Sequence, residues 1–207
     1  MKIEVRNDKV VIDGYVNAVD RFSKVLYDKK GQFIEKILPS VFRRALEKNP
    51  AVKVLLDHDY DIELANTKDG TANLYEDNIG LRAIVEIKNS DVIEKAKNKK
   101  LRGWSFGFIP VKEEEIINQD GMRERCIRDM ELFEVSIIDD KKIPAYIGTS
   151  IEMRSDEQPR IIEYRSEEFD ENSFFITKNE VPEQPPDNKK TIDYSRYENI
   201  LKEIKEG

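Results

Sequence analysis

The stretch Arg102-Gly103-Trp104-Ser105-Phe106-Gly107-Phe108 constrains this chain more than any other. At a strand's period of two, Arg102, Trp104, Phe106 and Phe108 share one face, and Gly103, Ser105 and Gly107 share the other. The first face is bulky enough to anchor a core. The second offers one hydroxyl between two residues without side chains, so another backbone can approach it closely. Nucleophilic attack on a peptide needs such a hydroxyl, together with a base. His58 is the only histidine among 207 residues and so the only imidazole available.

Composition narrows the setting. A chain of this length suits one domain of about 150 residues plus an appendage. No apolar run approaches the roughly 18 residues of a membrane span, and Met1-Lys2-Ile3-Glu4-Val5-Arg6-Asn7 lacks a signal peptide's apolar stretch. The expected compartment is a cytoplasm, without a membrane partner. Cys126 is the sole cysteine, so no internal disulfide is expected, and one Cys with one His argues against structural zinc. Of the net charge of −7, residues 151–207 carry −6 and residues 1–150 only −1. Neither part has a basic stripe with interleaved aromatics, so no nucleic-acid partner is expected.

Along the chain, Val10–Val16 and Gln32–Leu38 read as strands. Pro39-Ser40 opens a short helix with Val41, Phe42, Ala45 and Leu46 at helical spacing, ending near Asn49 because Pro50 follows. The β-rich run Val52–Asp57 delivers His58 at its end. Residues 71–76 and 80–87 form an expected strand pair, and Ser90 caps an expected helix over 91–99. Strand returns over Gly103–Val111. A hairpin turn at Asn118-Gln119-Asp120-Gly121 leads to two expected strands, Arg123–Arg128 and Glu131–Ile138. Many short strands with few helices predict an α+β fold: a curved antiparallel, barrel-like β core with short peripheral helices. The expected organisation is a domain over 1–150 and an acidic, Pro-interrupted extended tail over 151–207. Ile192, Tyr197, Ile200, Leu201 and Ile204 give that tail a short amphipathic helix at about 192–205.

Blander chemistry competes for the same residues. Ser105 also reads as a small residue in a buried strand, and His58 as a hydrogen-bonded histidine at a strand end. The pattern Gly103-x-Ser105-x-Gly107 matches the nucleophile elbow of α/β-hydrolases. That elbow needs a helix after the serine and a histidine later in the chain; Phe108-Ile109-Pro110-Val111 is a poor helix start, and no later histidine exists. Asp57, Asp59 and Asp61 are spaced like the start of a calcium loop. However, Ile62 stands where the turn glycine belongs and Lys68 where a bidentate glutamate belongs. A solvated acidic loop around the histidine is the expectation there, and no metal or cofactor is assigned.

Six pieces in order carry a more specific likeness. They are Gly14-Tyr15-Val16; Phe33-Ile34-Glu35-Lys36-Ile37-Leu38-Pro39; Val54-Leu55-Leu56-Asp57-His58-Asp59; Gly80-Leu81; Arg102–Phe108; and Leu132-Phe133-Glu134-Val135-Ser136-Ile137-Ile138, closed by Pro144-Ala145-Tyr146. Through most of residues 10–147 the chain resembles the caudoviral prohead, or capsid maturation, serine proteases, which are distantly similar to the herpesvirus assemblins. The resemblance implies that His58 and Ser105 are the catalytic pair. It also implies an assemblin-like fold, and cleavage of scaffold and major capsid protein, and of the protease itself, inside the assembling procapsid in the host cytoplasm. No cofactor is implied, and a homo-oligomer is possible by analogy. Two departures bear on loop shape: Ser40 stands where the family usually has glycine, and Glu63-Leu64-Ala65-Asn66-Thr67 fits the family's small-residue turn only loosely.

The third catalytic member is expected at Glu134. It lies in an otherwise apolar strand, on a face with Leu132, Ser136 and Ile138, where a carboxylate is expensive unless paired. Orienting the imidazole would pair it. The related phage proteases place an acidic residue at about this distance after the serine. Asp57, Asp59 and Asp129 are the rivals, and a glutamate facing water is the bland alternative. Backbone N–H groups are the default oxyanion donors; the resemblance to assemblins, which use arginine near this site, makes Arg102, Arg123, Arg125 and Arg128 weak candidates as well. The acidic tail is expected to be a delivery or self-cleavage segment of the protease, and the non-enzymatic alternative is an inactive protease-fold scaffold or assembly chaperone.

Overall fold

The computed structural model describes residues 2–6, 8–140, 150–153, 160–168 and 174–176. In chain order the elements are β1 (Lys2–Val5), β2 (Val10–Ala18), β3 (Leu26–Asp28), β4 (Gly31–Ile37), α1 (Val41–Lys48), β5 (Lys53–Leu56), β6 (Asp59–Asn66) and β7 (Ala72–Glu76). There follow β8 (Gly80–Ile87), α2 (Ser90–Lys97), β9 (Leu101–Ile117), β10 (Arg123–Asp139), β11 (Ser150–Met153), β12 (Arg160–Glu168) and β13 (Phe174–Ile176). Among the described residues a five-stranded sheet runs β13-β1-β2-β8-β7. An eight-stranded sheet runs β11-β12-β9-β10-β4-β3, with β5 joined to β10 and β6 to β5. The chain is α+β, as expected, and its sheets stay open rather than closing into one barrel. The helix expected over 192–205 lies outside the described residues.

Alternation explains the five-stranded sheet. Val10, Ile12 and Val16 of β2 and Leu81, Ala83, Val85 and Ile87 of β8 point inward, and their neighbours are half-buried. They share one core with Trp104, Phe106 and Phe108 of β9. Phe42 of α1 meets Phe106 edge-on, with ring centroids 5.4 Å apart.

The β9–β10 hairpin is longer than the sequence pattern suggests. Strand was expected only to Val111, yet β9 continues to Ile117 as an exposed ribbon. Its tip is the expected turn: Asn118 Oδ1 accepts the N–H groups of Asp120 and Met122, and Gly121 sits at φ +79°. The two strands expected across 123–138 are one, β10. Register shifts around Ile127, Asp129 and Met130 absorb the break in alternation as bulges, so the ladder to β9 continues. The acidic loop expected after His58 is also a strand, β6, because a two-residue turn sends the chain straight back along β5. Its exposed charges mask the strand's alternation.

Helix α1 opens after Pro39-Ser40 as expected, whereas α2 begins one residue earlier than expected. The cap of α2 is Asn89, one residue before Ser90; its side chain accepts the Val92 N–H at 3.1 Å. At α1, Glu76 of β7 takes the free amides of Ser40 and Arg43. Ser40 is held at φ +71°, in the left-handed region that suits glycine. That backbone is a physical reason for the glycine usual at this place in the resembled family. Ser40→Gly is therefore expected to stabilise the chain by about 1 kcal/mol, readable as a rise of roughly 2–4 °C in Tm. An unchanged or lower Tm would refute it.

Candidate active site

The site begins with the turn between β5 and β6. Leu56 pairs with Asp59, leaving Asp57 and His58 as the two central residues, at φ +54° and +62°. Positive φ at both is the mark of the tight hairpins favoured between twisted strands, but non-glycine residues pay strain for it. Three contacts to β10 hold it in place. Asp57 N–H donates to the Ile137 carbonyl at 2.9 Å, His58 N–H donates to Ser136 Oγ at 3.1 Å, and Asp57 Oδ1 accepts the Asp139 N–H at 3.0 Å. Parallel pairing of β5 with Glu134–Ile137 brings the turn to this end of β10.

His58 Nδ1 lies 2.8 Å from Glu134 Oε1. Glu134 is fully buried, and its second oxygen accepts the Ser136 hydroxyl at 2.5 Å. A carboxylate facing Nδ1 accepts a hydrogen bond from its N–H, which leaves the Nε2 lone pair free to act as a base. The imidazole edge meets the Tyr164 ring at 4.2 Å between centroids. Burial, with the Tyr60 and Glu134 charges adding, pushes the Tyr164 hydroxyl up to about 12. Tyr164 is therefore a neutral wall beside the imidazole.

Ser105 lies on β9 opposite Ser136 of β10, and Gly107 lies opposite Glu134. Directly opposed residues share a sheet face, so Ser105 is on the face that holds Glu134 and Ser136. On its other side Ser105 pairs with Ser166 of β12, and its Oγ donates to the Arg165 carbonyl at 2.9 Å. It is fully buried. Gly107 has a different reason from the one expected. A Cβ there would sit 2.8 Å from Glu134 Oε1 and 2.8 Å from Tyr164 Cε1, so the glycine makes room for side chains rather than for a backbone.

The rival carboxylates are engaged elsewhere. Asp57 serves the turn, Asp59 accepts the Asp61 N–H on exposed β6, and Asp129 pairs with Lys48 at 2.6 Å. Among the arginines, Arg123 pairs with Asp28 and Glu115, and Arg128 with Glu114, while Arg102 is exposed. Arg125 is buried among Glu35, Glu113 and Glu163. Sequence reasoning assigned no role to Ser136 or Tyr164. The first was findable: it and Glu134 are the two polar residues on one face of an apolar strand. The second had no signal, because nothing local announces that β12 pairs with β9.

Residues 1–161 match the family model described as caudovirus prohead serine protease. No curated protein matches the chain, and no solved structure does.

Proposed function

Because the chain belongs to the caudovirus prohead serine protease family, we propose that it is a serine endopeptidase with Ser105 as nucleophile, His58 as general base and Glu134 as the residue orienting the imidazole. The observation that carries this reading is the 2.8 Å contact between Nδ1 of the chain's only histidine and a fully buried carboxylate. Ser105 Oγ turns from the Arg165 carbonyl toward His58 Nε2 and gives up its proton as it attacks the scissile carbonyl. Glu134 stabilises the imidazolium that forms. The proton then passes to the leaving amine, and water, deprotonated by the same imidazole, hydrolyses the acyl-enzyme. No cofactor takes part in these steps. The substrates are scaffold and major capsid protein in the assembling procapsid, and the protease's own tail. Since Ser105 is buried beside β12, a substrate strand reaches it as β12 yields.

A fluorophosphonate probe tests the assignment. The full chain is expected to gain one adduct, on Ser105 by peptide mass mapping, and His58→Ala is expected to lose it. An adduct on another residue, or none at all, would sink the nucleophile and favour a protease-fold scaffold.

Gly107→Ala probes the dyad. The added methyl would meet Glu134 Oε1 and Tyr164 Cε1, each at 2.8 Å, so these two side chains must shift while no backbone is in the way. The expected result is a fold that survives with cleavage slowed roughly 100-fold, the scale of an ångström's misplacement. Wild-type turnover in this variant, measured on capsid protein, would mean that Glu134 does not need its present position.

A further inference from the structure

We infer that Ser136 is a positioning residue that clamps the general base at two points, an inference that rests on the reading of His58 and Glu134 as a catalytic pair. Its hydroxyl is fully buried. That single group donates to Glu134 Oε2 at 2.5 Å and accepts the His58 backbone N–H at 3.1 Å. One end of the clamp fixes the carboxylate that holds the imidazole, and the other fixes the main chain from which the imidazole hangs. A histidine ring swings about two side-chain torsions. Holding both its backbone and its Nδ1 partner from one atom removes most of that freedom.

The turn makes the second contact necessary. With Asp57 and His58 both at positive φ, the turn is strained, and strained backbone persists only where its surroundings over-determine it. The Asp57 N–H is held by the Ile137 carbonyl, and the His58 N–H by Ser136. Without the Ser136 hydroxyl, the His58 N–H and Glu134 Oε2 both lose this partner within the site, and an unmet polar group there is costly. Both ends of the clamp bear on the imidazole and neither bears on the nucleophile.

The test uses the full chain labelled with 15N-histidine, which gives one imidazole because the sequence has one histidine. In Ser105→Ala protein, which stays uncut, the proton on Nδ1 is expected as a slowly exchanging low-field resonance. Adding Ser136→Ala or Ser136→Cys is expected to broaden or shift that resonance while Tm stays within a few degrees. Ser136→Cys keeps the shape and supplies the reading if Ser136→Ala does not fold. With Ser105 present, both variants are expected to take the fluorophosphonate roughly 10- to 100-fold more slowly, and Ser136→Thr, which keeps the hydroxyl, to recover most of the rate. An unchanged resonance with labelling within twofold of wild type would overturn the clamp. Because the resonance is read in Ser105→Ala protein, which cleaves nothing, its presence there beside a wild type that takes no probe refutes the protease reading and not the clamp.

Discussion

Ser105→Ala is expected to leave the chain folded and to abolish cleavage of capsid and scaffold protein, with a fall in kcat on the order of 10⁶-fold, the scale seen when a serine protease loses its nucleophile. The fold should survive because the change removes one oxygen from a side chain that makes a hydrogen bond to a backbone carbonyl, and the alanine methyl stays within the volume already occupied. Arg165 pairs with Phe106 in the β9–β12 ladder, which does not depend on the hydroxyl. Intact-mass spectra of mutant and wild type incubated with the matching capsid protein read the result. Defined fragments with wild type alone establish the nucleophile and reveal the cleavage site. Fragments that persist with Ser105→Ala would place the nucleophile elsewhere, and uncut chains with both proteins would favour the scaffold reading.

The second large effect is expected from stability. Four strands meet in a buried ionic network that the sequence does not announce. Arg125 of β10 bonds Glu35 of β4 at 2.9 Å, Glu163 of β12 at 2.6 Å, and Glu113 of β9. Arg165 of β12 bonds Glu35 at 2.8 Å and Glu163 at 2.6 Å. Each guanidinium also lies near an aromatic ring, Arg125 by Phe33 and Arg165 by Phe108. Arg125→Ala strips a cation from the buried Glu35 and the half-buried Glu163 at once. Removing one partner of a buried pair costs about 3–5 kcal/mol, and for a chain of this size each kcal/mol lowers Tm by roughly 2–4 °C. A drop of only a degree or two would show that the network is not closed in solution.

The same network sets an acid limb. Burial pushes the Glu163 carboxyl up, but its hydrogen bond to Arg125 and the charges of Arg165 and Arg125 outweigh burial, so the group is held below the ordinary value of 4.5. A carboxylate lowered on folding adds stability that is fully present above its unfolded value and is lost as pH falls through its folded one. Wild-type Tm is therefore expected to decline below about pH 4.5, and Arg125→Ala to show a shallower decline. Exposed pairs such as Asp28 with Arg123 keep part of the slope in both proteins. Parallel curves would show that Glu163 does not carry this share.

The neighbours of each residue along one strand were legible from sequence, and the neighbours across strands were not. The bulky and small faces of Arg102–Phe108 set which side of β9 carries Ser105, because side-chain alternation needs only adjacent residues. The turn at 118–121 and the helix at 41–48 were equally local. Glu134 was singled out because a carboxylate in an apolar strand needs a partner, and the partner it has is His58. Yet the choice between Glu134 and Asp57 was open, since Asp57 is next to the histidine in sequence and Glu134 is 76 residues away. The parallel register of β5 on β10 turns Asp57 toward the Asp139 amide and His58 toward Glu134. Register is fixed by the packing of both faces over the whole sheet, so no local pattern records it. For the same reason Tyr164 and the Arg125 network belong to the tertiary structure alone: each draws its partners from strands that only the completed sheet brings together.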